Sequence, residues 1–148
     1  MNESILDKAK EFHGHLGPYA ILGWKIGLRA VELLGGKRYF GIHTTVRCPA
    51  APPPSCMVDG LQMSTGCTMG KRNIELIPSD EIVVTVRRSE PPAEVVFRPV
   101  GETIEQAEKI LREQGDEAAA RWLWEQPDEN VFTYTLNETV PAARSGGD

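Results

Sequence analysis

Three consecutive prolines, Pro52-Pro53-Pro54, constrain this chain more than any other feature. Each ring fixes φ and removes a backbone N–H donor, so the run predicts a stiff, extended approach to the next element. Ser55 comes directly after it, placed as a helix N-cap, with Cys56 as the first helical residue. A thiol at that position meets unpaired backbone N–H groups and the positive end of a helix, which favours thiolate. Cys56 and Asp59 are three apart and share a face of the predicted helix. Gly66 reads as the stop of that helix, and Cys67 lies just beyond it. The stretch 55–73 is therefore built to present a thiol beside a carboxylate, with a second thiol eleven residues later.

The rest of the chain supplies a core around this stretch. Its 148 residues suffice for one domain, and 41% hydrophobic with 25% charged residues is ordinary for a globular protein. The net charge of −5 argues against nucleic acid as a partner. No apolar run approaches the ~20 residues of a membrane span, and the charged, helical residues 1–10 do not resemble a signal peptide. Three cysteines at irregular spacing fit reduced thiols in the cytoplasm better than a disulfide scaffold.

In order, residues 3–12 have helical spacing through Ile5, Leu6, Ala9 and Phe12. A break comes at His13-Gly14-His15-Leu16-Gly17-Pro18. A second helix is predicted from Tyr19 to Leu34, with Gly23 and Gly27 four apart on one face. Glycine inside a helix costs about 1 kcal/mol relative to alanine, so this pair predicts close approach of another backbone. Gly35-Gly36 ends the helix. Strands are predicted over 38–48, 74–77, 82–87 and 95–98, the last two as a hairpin or meander. Thr103 and Gln106 form a capping-box pattern before a helix that runs toward Gly115. A further helical piece covers 116–124, and 131–136 alternates like an edge strand. The expected fold is α+β: an N-terminal helical pair, a mainly antiparallel sheet, and C-terminal helices packed on it. Residues 1–136 form the expected domain, and 137–148 the expected disordered tail.

His13 and His15 would point about 200° apart on a continuous helix. The break at Gly14, Gly17 and Pro18 lets them converge. Two imidazoles with one or two thiolates make a mixed N/S set that suits zinc first and other transition metals next. Cys67 is read equally as a second ligand, a resolving thiol or a core residue, whereas Cys48 and His43 are read as structural. Asp59 is a base, an orienter of a ligand, a ligand itself, or an exposed helix acid. The run Gly66 to Arg72 resembles a phosphate loop but is one residue short and lacks Ser or Thr after Lys71.

Together, Phe12-His13-Gly14-His15-Leu16-Gly17-Pro18, Cys56-Met57-Val58-Asp59-Gly60-Leu61-Gln62 and Thr65-Gly66-Cys67-Thr68-Met69-Gly70-Lys71-Arg72-Asn73 resemble the FmdE family, named for one of the subunits of formylmethanofuran dehydrogenase. The match in type, order and separation spans about residues 3–100. The resemblance implies an α+β domain, a homodimer, and a metal, often zinc, held near His13, His15, Cys56 and Cys67. It also implies a link to molybdenum or tungsten formylmethanofuran dehydrogenase. Longer members carry a C-terminal cysteine-rich zinc ribbon, whereas no cysteine follows Cys67 here.

Three functions compete on the sequence alone. A metal-dependent catalytic module would use Asp59 or Lys71 as proton carrier. A non-catalytic accessory or metal carrier would serve a molybdenum or tungsten enzyme complex. A thiol redox protein would pair Cys56 with Cys67. The partners expected are a second copy of the chain and that enzyme complex. Trp122, Trp124 and the 131–136 strand are the candidate contact surface.

Overall fold

A computed structural model describes residues 3–138. Helix α1 (Glu3–His13) and helix α2 (Pro18–Leu33) meet at the predicted break. Strand β1 (Ile42–Cys48), helix α3 (Met57–Thr65) and strands β2 (Ile74–Pro78), β3 (Val83–Arg88) and β4 (Ala93–Pro99) come next. Helices α4 (Gly101–Gln114), α5 (Asp116–Glu125) and α6 (Asp128–Val131) then lead into strand β5 (Phe132–Asn137). The expected α+β class is the one observed. Positions 139–148 of the expected tail lie outside the described residues.

The five strands form one sheet in the order β2-β1-β3-β4-β5. Only β1 and β2 run parallel, because α3 carries the chain across between them. The remaining neighbours are antiparallel, including the predicted β3–β4 hairpin and the edge strand β5. Alternation sorts the side chains. Ile42, Val46, Val84, Val86, Val95 and Phe97 are buried in the core with Leu22, Ile26, Met57 and Leu61 from the helices. On the other face, His43, Arg47, Arg87 and Glu94 help line an open depression of about 990 Å³. His43 Nε2 lies 3.6 Å from Glu75 there.

The predicted glycine face is where α2 and α3 cross. A Cβ at Gly23 would overlap the Met57 carbonyl, and one at Gly60 would overlap the Ala20 carbonyl. At Gly27 it would meet the Ser64 hydroxyl. The helix backbones touch because neither carries a side chain at the crossing, and that contact fixes α3 against α2.

Three local expectations are corrected. The proline run is not extended: Pro53 has φ −85° and ψ −20°, and Pro54–Cys56 is a 3₁₀ turn leading into α3. Proline's fixed φ serves a helical turn as well as an extended segment. Ser55 is consequently inside the turn, and Cys56 takes the N-cap position, with no side-chain cap bond. Thr103 does not cap α4, whose N-cap is Val100; its hydroxyl donates instead to the Asn130 carbonyl, 2.5 Å away. Gly66 does end α3, in the left-handed conformation at φ 78°.

Candidate metal centre

Where α1 ends and α2 has not begun, Gly14 takes a positive φ and turns the chain. The two histidines then lie side by side, their ring centroids 4.6 Å apart. His13 is almost wholly buried, with 8% of its side chain exposed, whereas His15 is about half exposed. Asp59, in the first turn of α3, sits 2.5 Å from His13 through Oδ2 and Nδ1. The other ring nitrogen of His13, Nε2, is buried and has no hydrogen-bond partner. Such an atom ordinarily finds a partner, so its isolation calls for an explanation. A carboxylate on one imidazole nitrogen with the other left bare is the arrangement of a metal-binding histidine.

Cys56 is partly buried at the start of α3, and its thiol is free. Burial, then the charges of Asp59 and Asp116, push this thiol above its usual value. The expectation of a thiolate drawn out by the helix end is therefore corrected: desolvation and two carboxylates oppose it, and a cation among these groups would reverse their effect.

Asp116 was not legible as a site residue. It is the first residue of α5, and its Oδ2 lies 3.6 Å from His15 Nε2. Ion pairing of Lys10 on α1 with Glu117, at 3.2 Å, ties the same end of α5 to the histidine break. Further along, Lys25 of α2 is buried and donates to the carbonyls of Trp124 and Gln126, each at 3.0 Å. Tyr19 donates to Glu108 of α4 at 2.7 Å. These bonds strap the C-terminal helices to α2. The available signals were a lone lysine on an apolar helix and an acid directly after Gly115.

Cys67 and Lys71 are not brought to the histidines. Cys67 is fully buried, accepts a hydrogen bond from Thr44 Oγ1 at 3.4 Å, and faces the Ile42 carbonyl at 3.6 Å. It follows the C-cap of α3, whereas Cys56 is the N-cap. A nine-residue helix is about 13 Å long, and a disulfide needs Cα atoms within about 7 Å. Lys71 lies at that same far end, with Nζ 3.3 Å from Thr68 Oγ1 and 5.7 Å from the Tyr39 ring centroid. Asn73 pins this turn by donating to the Tyr39 and Ile42 carbonyls while accepting from the Thr68 amide. Among the described residues, no three His, Cys, Asp or Glu side chains converge closely enough to hold an ion as they stand. The donors are set in pairs, His13 with Asp59 and His15 with Asp116.

Fold and site together define a class: an α+β domain with imidazole, thiol and carboxylate groups gathered at the ends of helices, on the helical side of one sheet. The chain belongs to the FmdE family, whose model, described as "FmdE, Molybdenum formylmethanofuran dehydrogenase operon", matches residues 12–133. Its structure is similar to that of a tungsten formylmethanofuran dehydrogenase FmdE-like protein from Syntrophus aciditrophicus. The TM-score is 0.63 at 18% identity, over 94% of this chain and 73% of that one. It is also 32% identical over 90 residues to a "Probable S-adenosyl-L-methionine-binding protein" of Archaeoglobus fulgidus, covering 57% of this chain. The match spans 23% of that relative's length. Among the described residues, no helix is long and apolar enough to cross a membrane.

Proposed function

We propose that this FmdE-family chain is a metal-binding module whose centre is built from His13, His15 and Cys56, with zinc as the favoured ion. The observation that carries the reading is the bare, buried Nε2 of His13 with Asp59 holding Nδ1. Imidazole and thiolate donors suit zinc, and Asp59 orients the imidazole rather than shuttling protons freely. When bound, the metal would supply a Lewis acid and a means to lower the pKa of coordinated water. The half-exposed side occupied by His15 and Asp116 is where a substrate would enter. Catalysis there needs no Lys71, which stands at the other end of α3.

A second reading, an accessory of a molybdenum or tungsten formylmethanofuran dehydrogenase, draws on the operon in the family's description. The same metal centre serves either reading. The thiol redox reading loses its support, because Cys56 and Cys67 flank opposite ends of α3. We place the chain in the cytoplasm, where its three free thiols remain reduced. Homodimerisation is proposed through the β5 edge, which presents Tyr134 and Leu136 to solvent. Trp122 and Trp124 contribute less to such a contact, being partly buried against the chain's own core.

Metal analysis of the purified protein beside Cys56→Ser and His15→Ala tests the reading. About one equivalent in the wild type and a clear loss in both variants is expected. Full metal content in both variants, or none in the wild type, would overturn it.

A further inference from the structure

Lys71 and the turn before β2 take no part in the candidate metal centre, and they stand at the edge of the open depression on the face of the sheet opposite the core. Strands β1 and β2 begin, and β3 ends, at this end of the sheet: Ile42 pairs with Arg88, His43 with Arg87, and Thr44 with Ile74. The topology therefore collects Lys71, Arg72, Arg87 and Arg88 in one place. Arg47, four residues along β1 from His43, stands about 13 Å further on. Among the described residues, these five cations line the depression against three glutamates, in a chain whose net charge is −5. The partners of two of them are neutral. Lys71 Nζ lies 3.3 Å from the Thr68 hydroxyl, and 5.7 and 5.9 Å from the Tyr39 and Phe40 ring centroids. Arg88 donates to the Leu34 and Pro91 carbonyls at 3.0 and 2.7 Å. These contacts leave both charges uncancelled.

The backbone at this corner is also strained. Tyr39 and Arg72 have φ of 65° and 59° and are, among the described residues, the positions other than glycine in the left-handed region. Asn73 holds both in place through the Tyr39 and Ile42 carbonyls and the Thr68 amide, and the Tyr39 ring fills the space that a side chain at Gly66 would take. Strain of this kind persists where the surrounding structure enforces it, and it clusters at ligand sites. Here it leaves the Phe40 ring 77% exposed beside the cations. We propose that this end of the depression binds a nucleoside di- or triphosphate, with Lys71, Arg72 and Arg87 on the phosphates and the base stacked on Phe40. Guanidinium groups match pairs of phosphate oxygens, and an aromatic face suits a planar base. The volume of about 990 Å³ is at the upper end of small-molecule sites. Charge gathered at one end beside an exposed ring favours a compact anion with a planar head over an extended acidic peptide. The inference is independent of the metal-binding reading, whose residues stand at the other end of α3.

The test is isothermal titration calorimetry of the full chain with ATP, pyrophosphate, adenosine and a glutamate–tyrosine copolymer. ATP is expected to bind more tightly than pyrophosphate or adenosine, because each of those keeps one half of the contacts. Arg72→Gly removes the guanidinium and suits the positive φ, and it should weaken ATP binding by at least about tenfold. Phe40→Ala should weaken ATP by at least about fivefold and leave pyrophosphate unchanged. Arg47→Ala, on an exposed strand position, should also weaken ATP and carries the test if the glycine variant does not fold. His15→Ala should bind ATP as the wild type does. No ATP binding at millimolar concentration would overturn the proposal, as would wild-type affinity in both Arg72→Gly and Arg47→Ala. Loss of ATP binding in His15→Ala would move the phosphates to the candidate metal centre and overturn this site while leaving the metal-binding reading standing. Binding of the copolymer without ATP would assign the surface to an acidic protein segment and overturn it as well.

Discussion

At the residue scale, the site turns on which nitrogen of His13 is engaged. Asp59 accepts from Nδ1, so the lone pair at Nε2 is directed elsewhere. Asp59→Asn should weaken zinc binding by about 10–100-fold in competition against a chromophoric chelator. Equal affinity would show that the carboxylate orients nothing. Sequence spacing reveals this partner only by role, since an acid three residues after Cys56 could equally be a ligand or an exposed helix acid. The His-x-His break is legible because Gly14, Gly17 and Pro18 forbid a continuous helix. At Cys56 the sequence misleads, because helix position is visible in it and the approach of Asp116 from a remote element is not. Cys67 stays open in the sequence for a related reason: nothing local shows that it packs under Thr44 of β1.

At the element scale, the α2–α3 crossing sets where Cys56 and Asp59 stand relative to the histidines. Gly60→Ala would press a methyl group into the Ala20 carbonyl. Overpacking of this kind costs about 1–3 kcal/mol, and urea unfolding should show a midpoint lowered to match. An unchanged midpoint would mean the helices part without penalty. The crossing is legible from Gly23 and Gly27, since two glycines on one helical face need a reason. Their partner, Gly60, carries no such signal. A second strap is Lys25. Lys25→Met removes the donor from the Trp124 and Gln126 carbonyls and should destabilise by about 1–3 kcal/mol in the same assay. Wild-type stability would show that those carbonyls are satisfied by water. Strands and the β3–β4 hairpin are legible because alternation and turns are local, the place of β1 between β2 and β3 is not, and helix starts mislead at Ser55 and Thr103, where the hydroxyl finds no role as a cap.

At the scale of the whole molecule, the described residues share one sheet and one buried cluster, with the C-terminal helices strapped to α2. Its pH response derives from buried acids. Burial, then Glu108, raises the Tyr19 phenol above its usual 10.0, and burial raises Cys48 above its usual 9.0. Cys56 is raised as well, by burial first and then by Asp59 and Asp116. Groups raised on folding release protons first from the unfolded chain, so their stabilisation is present below the unfolded values and lost as pH rises through the folded ones. Lys25, lowered by burial against the pull of Asp128, acts in the opposite sense. The two thiols should therefore pull the melting temperature of the metal-free protein down as pH rises above about 9, with Tyr19 adding to the fall above about 10. A rising melting temperature across that window would contradict these assignments. At this scale the α+β class is legible in the sequence. The return of α5 to the histidines is not, because it depends on contacts of Lys10, Tyr19 and Lys25 with residues far along the chain. The proposed metal centre would thus depend on the assembled fold, and its ligand shell is the most direct readout. X-ray absorption at the zinc edge of the zinc-loaded protein should show one sulfur at about 2.3 Å, with the remaining shell of nitrogen and oxygen at about 2.0–2.2 Å. Two sulfurs would bring Cys67 or Cys48 into the shell against the geometry described, and a shell with no sulfur would remove Cys56 and contradict the account.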